Sequence, residues 1–202
     1  MANLWAPDAS APLFAHRPLF RRNPPPATAP PVLAVAVSTA VLFGALAARV
    51  HPGLVLAAAC WLGACAVPLA FIDAAARRLP DRLTIPAYAG TAALLLVAAA
   101  VSGHWPVLLR AALGGLALAG LYLALLLFSP SAMGLGDVKL AASLGTLLAW
   151  FGWRTLIAGG FAGFGLGGLF ALALLLSGRA TRKQHIPFGP FMILGAFLVI
   201  LL

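Results

Sequence analysis

Asp8, Asp73, Asp81 and Asp137 are the only acidic residues in 202, and there is no Glu. Asp73 closes one long apolar run. Asp137 opens another, inside Met133-Gly134-Leu135-Gly136-Asp137-Val138-Lys139. A carboxylate beside hydrocarbon is costly, so each is a functional candidate by position alone. Gly134 and Gly136 remove side chains just before Asp137, so backbone or substrate can approach it closely. Two carboxylates within a few ångströms cannot both ionise cheaply, and such a pair holds one shared proton. The charged member then takes a proton from water, and the neutral one donates to a carbonyl oxygen. That is peptide hydrolysis without a metal or a covalent intermediate. Nothing else in the chain competes. His16, His51, His104 and His185 fall in different segments, and no base stands beside Ser129, Ser131 or Ser143. Cys60 and Cys65 lie about 140° apart on a helix and read as small apolar residues, not a metal site. No metal and no cofactor is expected.

The chain that must position these carboxylates is 63% hydrophobic and 8% charged, with mean hydropathy +1.04. A soluble domain would be about 25% charged. The expected fold is therefore all-α: a polytopic transmembrane bundle of six or seven spans. Apolar runs fall at 31–48, 54–72, 84–102, 108–128, 139–151, 155–176 and 188–202. The runs 139–151 and 188–202 are short for a crossing, which takes about 20 residues. Their helices either extend into the flanking loops or cross a thinned, partly hydrated region. Residues 1–30 read as a disordered, Pro-rich cytoplasmic tail, and 31–202 as the membrane domain. With seven spans, ten of the thirteen basic residues fall on one side, among them Arg17, Arg21, Arg22, Arg77, Arg78, Arg82, Lys139, Arg179, Arg182 and Lys183. Arg49, Arg110 and Arg154 fall on the other, with Trp105, Trp150 and Trp153. The positive-inside rule then makes the N-terminus cytoplasmic and puts Asp73 and Asp137 on the cytoplasmic face. The net charge of +9 is read as lipid orientation; no nucleic acid is expected.

Plainer roles stand beside these. Asp137 is a natural N-cap for a helix starting at Val138. Asp73 can pair with Arg77 across one turn. Gly159, Gly163 and Gly167 read as a helix-packing stripe. The glycine-rich stretch 163–168 follows no strand and is not a dinucleotide loop.

Three stretches carry a resemblance. Residues 72–86 read Ile-Asp-Ala-Ala-Ala-Arg-Arg-Leu-Pro-Asp-Arg-Leu-Thr-Ile-Pro, residues 132–140 read Ala-Met-Gly-Leu-Gly-Asp-Val-Lys-Leu, and residues 186–191 read Ile-Pro-Phe-Gly-Pro-Phe. In this order they resemble the prepilin peptidases, the type IV leader peptidases of bacteria, which are intramembrane aspartic proteases with a G-x-G-D motif. The resemblance implies Asp73 and Asp137 as the catalytic pair, supported by Gly134, Gly136 and Lys139. It implies an inner-membrane enzyme cleaving the basic leader of prepilin or pseudopilin substrates of pilus or type II secretion systems. Asp81 matches a position where relatives often have Asn, which favours a role in the turn before the third span over leader recognition. Arg77, Arg78 and Arg82 are expected among headgroups, with a direct site role the alternative. Lys139 either tunes the pair or anchors the inner face. Longer relatives carry paired C-x-x-C motifs and N-methylate the product. The Pro-rich tail has no cysteine, so the expectation is a short form without methyltransferase activity. The alternatives are a protease of the presenilin kind, a catalytically silent scaffold, and a proton-coupled transporter. The oligomeric state stays open.

Overall fold

The computed structural model describes residues 32–128, 133–177 and 187–202. Among them the chain forms seven helices and no strand: α1 (Val32–Arg49), α2 (Leu54–Ala76), α3 (Asp81–Ser102), α4 (Trp105–Phe128), α5 (Leu135–Phe151), α6 (Trp153–Leu176) and α7 (Gly189–Leu201). The all-α expectation holds. The tail at 1–30, with Arg17, Arg21 and Arg22, lies outside the described residues, as do Arg179, Arg182, Lys183 and His185. Five helices (α1, α2, α3, α4 and α6) are long and apolar enough to cross a membrane, and the chain is a multi-pass membrane protein. α5 has 17 residues and α7 has 13, short against the roughly 20 that span a hydrocarbon core.

The bundle is organised around α5. Ten of its residues are buried, from Asp137 to Ala149, and α2, α3, α4, α6 and α7 all pack on it. Between helices in lipid, close approach supplies the packing energy, because burying leucine against leucine gains little over lipid tails. The α4–α5 contact is made by small residues. A Cβ on Gly145 would lie 2.9 Å from the Gly114 carbonyl oxygen and 3.1 Å from the Gly115 Cα. The stripe expected on α6 does pack helices. A Cβ on Gly159 would lie 2.8 Å from a Leu148 methyl, and one on Gly167 would lie 2.9 Å from the Phe188 ring. Gly163 faces Gly195 of α7, where a Cβ would sit 2.7 Å from the Gly163 Cα. α1, by contrast, has one buried residue, Leu46. Its exposed Val32, Leu33, Val37 and Val41 are what a lipid-facing helix presents.

Two polar ties link neighbouring helices. Trp61 of α2 donates its indole N–H to the Pro86 carbonyl oxygen at 2.9 Å, a carbonyl in the first turns of α3. The ring lies over Gly90, which has no side chain to exclude it. Arg110 of α4 donates to the Ala149 carbonyl oxygen at 2.7 Å and also to that of Trp150. It thereby satisfies carbonyls that the end of α5 leaves open and opposes the negative end of the helix dipole. Trp105, Trp150 and Trp153 therefore share the end of the bundle away from Asp137.

Candidate active site

Asp73 belongs to the last turn of α2. The helix runs on to Ala76 and is closed by Arg77 in the left-handed conformation (φ 52°, ψ 43°), whose N–H donates to the Asp73 carbonyl oxygen at 2.8 Å. Asp137 belongs to the first turn of α5. The expectation of an N-cap ahead of Val138 is corrected here: α5 starts at Leu135, its N-cap is Gly134, and Asp137 is the third helical residue. Its carboxylate reaches back and accepts the Gly134 N–H at 2.9 Å, as the acidic residue of a capping box does. Glycine has no side chain to return the bond. The pairing of Asp73 with Arg77 is not seen either. The Asp73 carboxylate accepts the backbone N–H of Gly189, the first residue of α7, at 3.0 Å.

Both carboxylates are buried, Asp73 to 5% and Asp137 to 8% exposure. Each is held by a glycine N–H at the start of one of the two short helices. Helix N-termini carry positive partial charge, so α5 and α7 both aim their favourable ends at a carboxylate. Asp73 needs this more, because the carbonyls ending α2 face the same region. The two side chains line one cavity of about 480 Å³. The rest of the wall is Gly134, Gly136 and the 77–81 segment. A volume of this order suits a ligand or a short stretch of chain.

The two glycines of the motif have different jobs. A Cβ on Gly136 would lie 2.6 Å from the Leu79 Cβ, so its absence lets the α2–α3 turn rest on α5. A Cβ on Gly134 would meet nothing closer than the Asp137 carboxylate at 3.7 Å; its contribution is its N–H. Lys139 does not bond either buried aspartate. Its ammonium pairs with Asp81 at 2.6 Å, tying the start of α3 to α5, with the side chains 45% and 59% exposed. Asp81 is the first residue of α3 and makes no side-chain cap. Arg77 and Arg78 line the cavity, so the headgroup expectation for these two omitted their place on its wall. Cys60 and Cys65 are free, half-buried and buried respectively.

Sequence reasoning missed Gly189 as a donor. A Cβ there would lie 2.8 Å from an Asp73 carboxylate oxygen. The available signal was the glycine between Phe188 and Pro190 in the third stretch.

Residues 56–202 match the type IV leader peptidase family. The chain belongs to that family. Both buried aspartates, the cavity and Gly189 lie within the matched segment. Among type IV leader peptidases, the chain is similar to a prepilin leader peptidase/N-methyltransferase of Aeromonas salmonicida, 34% identical over 171 residues, which are 83% of this chain and 56% of the relative. It is 37% identical over 169 residues to a protein of the same description from Burkholderia pseudomallei, covering 78% of this chain and 50% of the relative. It is 35% identical over 135 residues to the leader peptidase HopD of Salmonella typhimurium, covering 64% and 83%. The chain spans about half the length of the first two relatives. No solved structure matches it.

Proposed function

We propose that this chain is an aspartic endopeptidase that removes the basic leader of prepilin or pseudopilin substrates. The observation that carries the proposal is the convergence of Asp73 and Asp137, from separate motifs, on one cavity, each with a backbone N–H already on its carboxylate. Relatives described as leader peptidases support the substrate class. With one proton shared between them, the ionised aspartate takes a proton from a water lodged in the cavity. The water oxygen attacks the scissile carbonyl carbon, while the protonated aspartate donates to the carbonyl oxygen. The tetrahedral diol then collapses. The leaving amine takes a proton from one carboxyl, the diol returns one to the other, and the pair regains its single proton. The N–H donors keep the carboxylates in place, so little reorganisation is needed as charge moves.

The cytoplasmic face of the inner membrane is the proposed place of cleavage. Arg77 and Arg78 line the cavity and Arg82 follows in the first turn of α3, a run of bases such as inner-face segments carry. Such a cavity admits a leader emerging from the substrate's membrane helix. A proton-coupled carrier would need ionisable groups along the bundle. Besides the aspartates, the buried polar side chains among those described are the hydroxyls of Thr84, Thr91, Tyr122, Ser143 and Thr146 and the thiol of Cys65; none is a carboxylate or a basic group, and this favours the peptidase reading.

The test is to reconstitute the protein in lipid with a prepilin-type substrate and map the cut by mass spectrometry. A single cut between the basic leader and the apolar helix is expected. Cleavage deep within the helix, or proton uptake with no cleavage, would overturn the proposal.

A further inference from the structure

α7 carries the donor that Asp73 depends on, yet no polar side chain fixes its first turn. Its N-cap is Phe188 (φ −93°, ψ −28°), which makes no side-chain cap bond. Phe188 directly precedes Gly189, whose N–H lies 3.0 Å from the Asp73 carboxylate. The place of that N–H therefore depends on how Phe188 packs, and its ring is held on three sides. Phe164 of α6 lies 5.1 Å away and Tyr122 of α4 6.0 Å away, centroid to centroid, within the range of favourable aromatic pairs. On the third side is Gly167 of α6. A Cβ there would lie 2.9 Å and 3.3 Å from two ring carbons of Phe188, and 3.6 Å from the Phe191 Cβ. Phe188 and Phe191 thus straddle one glycine, and Phe191 packs in turn on Phe170, with centroids 5.1 Å apart. The Phe188 carbonyl accepts the N–H groups of Phe191 at 3.1 Å and Met192 at 3.2 Å, so a shift of Phe188 is carried into the backbone of the turn.

We infer that Phe188 is a positioning residue for Asp73. Its ring, seated in a socket made by Phe164 and Gly167 of α6, sets the Gly189 N–H on the carboxylate. Phe188 acts only through Gly189. A ring hemmed on three sides in a close-packed bundle does not yield to an added methyl without moving its own backbone. The inference rests on the aspartate mechanism proposed above, in which Asp73 must keep its place as protons move.

Phe188→Ala removes the ring and needs no new space. Gly167→Ala puts a methyl against the ring, and adding Phe188→Leu to it removes the ring edge that the methyl meets. Gly159→Ala is the packing control: its Cβ would meet a Leu148 methyl at 2.8 Å, on the same helix but against α5. Cleavage of a prepilin-type peptide with a basic leader is measured for the full chain in lipid, across substrate concentration, with thermal unfolding midpoints beside it. A displacement of about 1 Å can cost about 10²-fold, and Phe188→Ala and Gly167→Ala are each expected to lower kcat about tenfold. Their KM stays within about twofold. The double variant regains at least about threefold in kcat over Gly167→Ala, because the two sites are in contact and do not add. Gly159→Ala keeps wild-type kcat, whatever its midpoint. Wild-type kcat in Phe188→Ala, no recovery in the double variant, or an equal loss in Gly159→Ala overturns the inference. Should Gly167→Ala fail to fold, Phe188→Ala decides. Asp73→Asn is run alongside. If it cleaves normally, the aspartate mechanism itself fails. If it is silent while Phe188→Ala matches wild type, only this inference fails.

Discussion

Asp73 sits at the unfavourable end of its own helix. The last carbonyls of α2 surround it with negative partial charge, so its carboxylate relies on a donor from elsewhere, and Gly189 supplies it at 3.0 Å. This makes a contrast between two glycines testable. Gly189→Ala would put a Cβ 2.8 Å from the carboxylate oxygen. A displacement of about 1 Å near the reacting groups can cost about 10²-fold in rate, and a loss of that order in kcat is expected. Gly134→Ala retains the N–H that Asp137 needs, at φ −106° and with no close neighbour. It should cleave within about threefold of wild type, since no transition-state contact is lost. Equal rates for the two variants in a steady-state assay would count against the geometry. The aspartates themselves were legible in the sequence, because an acid in so apolar a chain stands out. Gly189 was not, because a backbone N–H has no residue-type signature. The partner of Lys139 was hidden for another reason: Asp81 lies 58 positions away, and only the packing of α3 on α5 brings them together.

At the level of the helices, hydropathy located all seven elements but misplaced the two ends that matter. The run at 139–151 became a helix from Leu135, because Asp137 and Lys139 lower hydropathy without opposing helix formation. Likewise α2 continues past Asp73 through Ala74, Ala75 and Ala76, and alanine is the best helix former. Both aspartates are therefore inside helices, not in loops, and their backbones are fixed. The α4–α5 contact through Gly114, Gly115 and Gly145 was not read, since facing glycines on different helices show no period within either. The Lys139–Asp81 tie between α3 and α5 is largely solvated. Exposed pairs of this kind contribute about 0–1 kcal/mol. A double-mutant cycle with Lys139→Ala and Asp81→Asn, read by thermal unfolding, should give a coupling of at most about 1 kcal/mol. The single variants should keep their cleavage activity. A strong loss of cleavage in Lys139→Ala with stability intact would return Lys139 to the catalytic machinery.

Across the whole molecule the two ends differ in character. One has Arg77, Arg78 and the aspartate cavity. The other has Trp105, Trp150 and Trp153, with Arg110 closing α5. The short α5 and α7 both begin at the cavity end, which sets the aspartates at one end of the bundle and not at its middle. The cytoplasmic placement proposed for the cavity rests on charge and is open to direct labelling. In a Cys60→Ala, Cys65→Ala background, Ser102→Cys should react with an impermeant thiol reagent added to intact cells. Arg78→Cys should react only after lysis. The reverse pattern would put the cavity outside and separate it from a basic leader.

The central claim is that Asp73 and Asp137 act as one unit. Single-turnover cleavage by wild type, Asp73→Asn, Asp137→Asn and the double variant tests it most directly, with folding verified by thermal unfolding. Each single variant is predicted to lose about 10²- to 10⁴-fold, the span of general acid–base catalysis. The double variant is predicted to be no worse than the poorer single one, as groups acting together are not additive. Wild-type rates from either single variant, or losses that multiply in the double, would contradict the account.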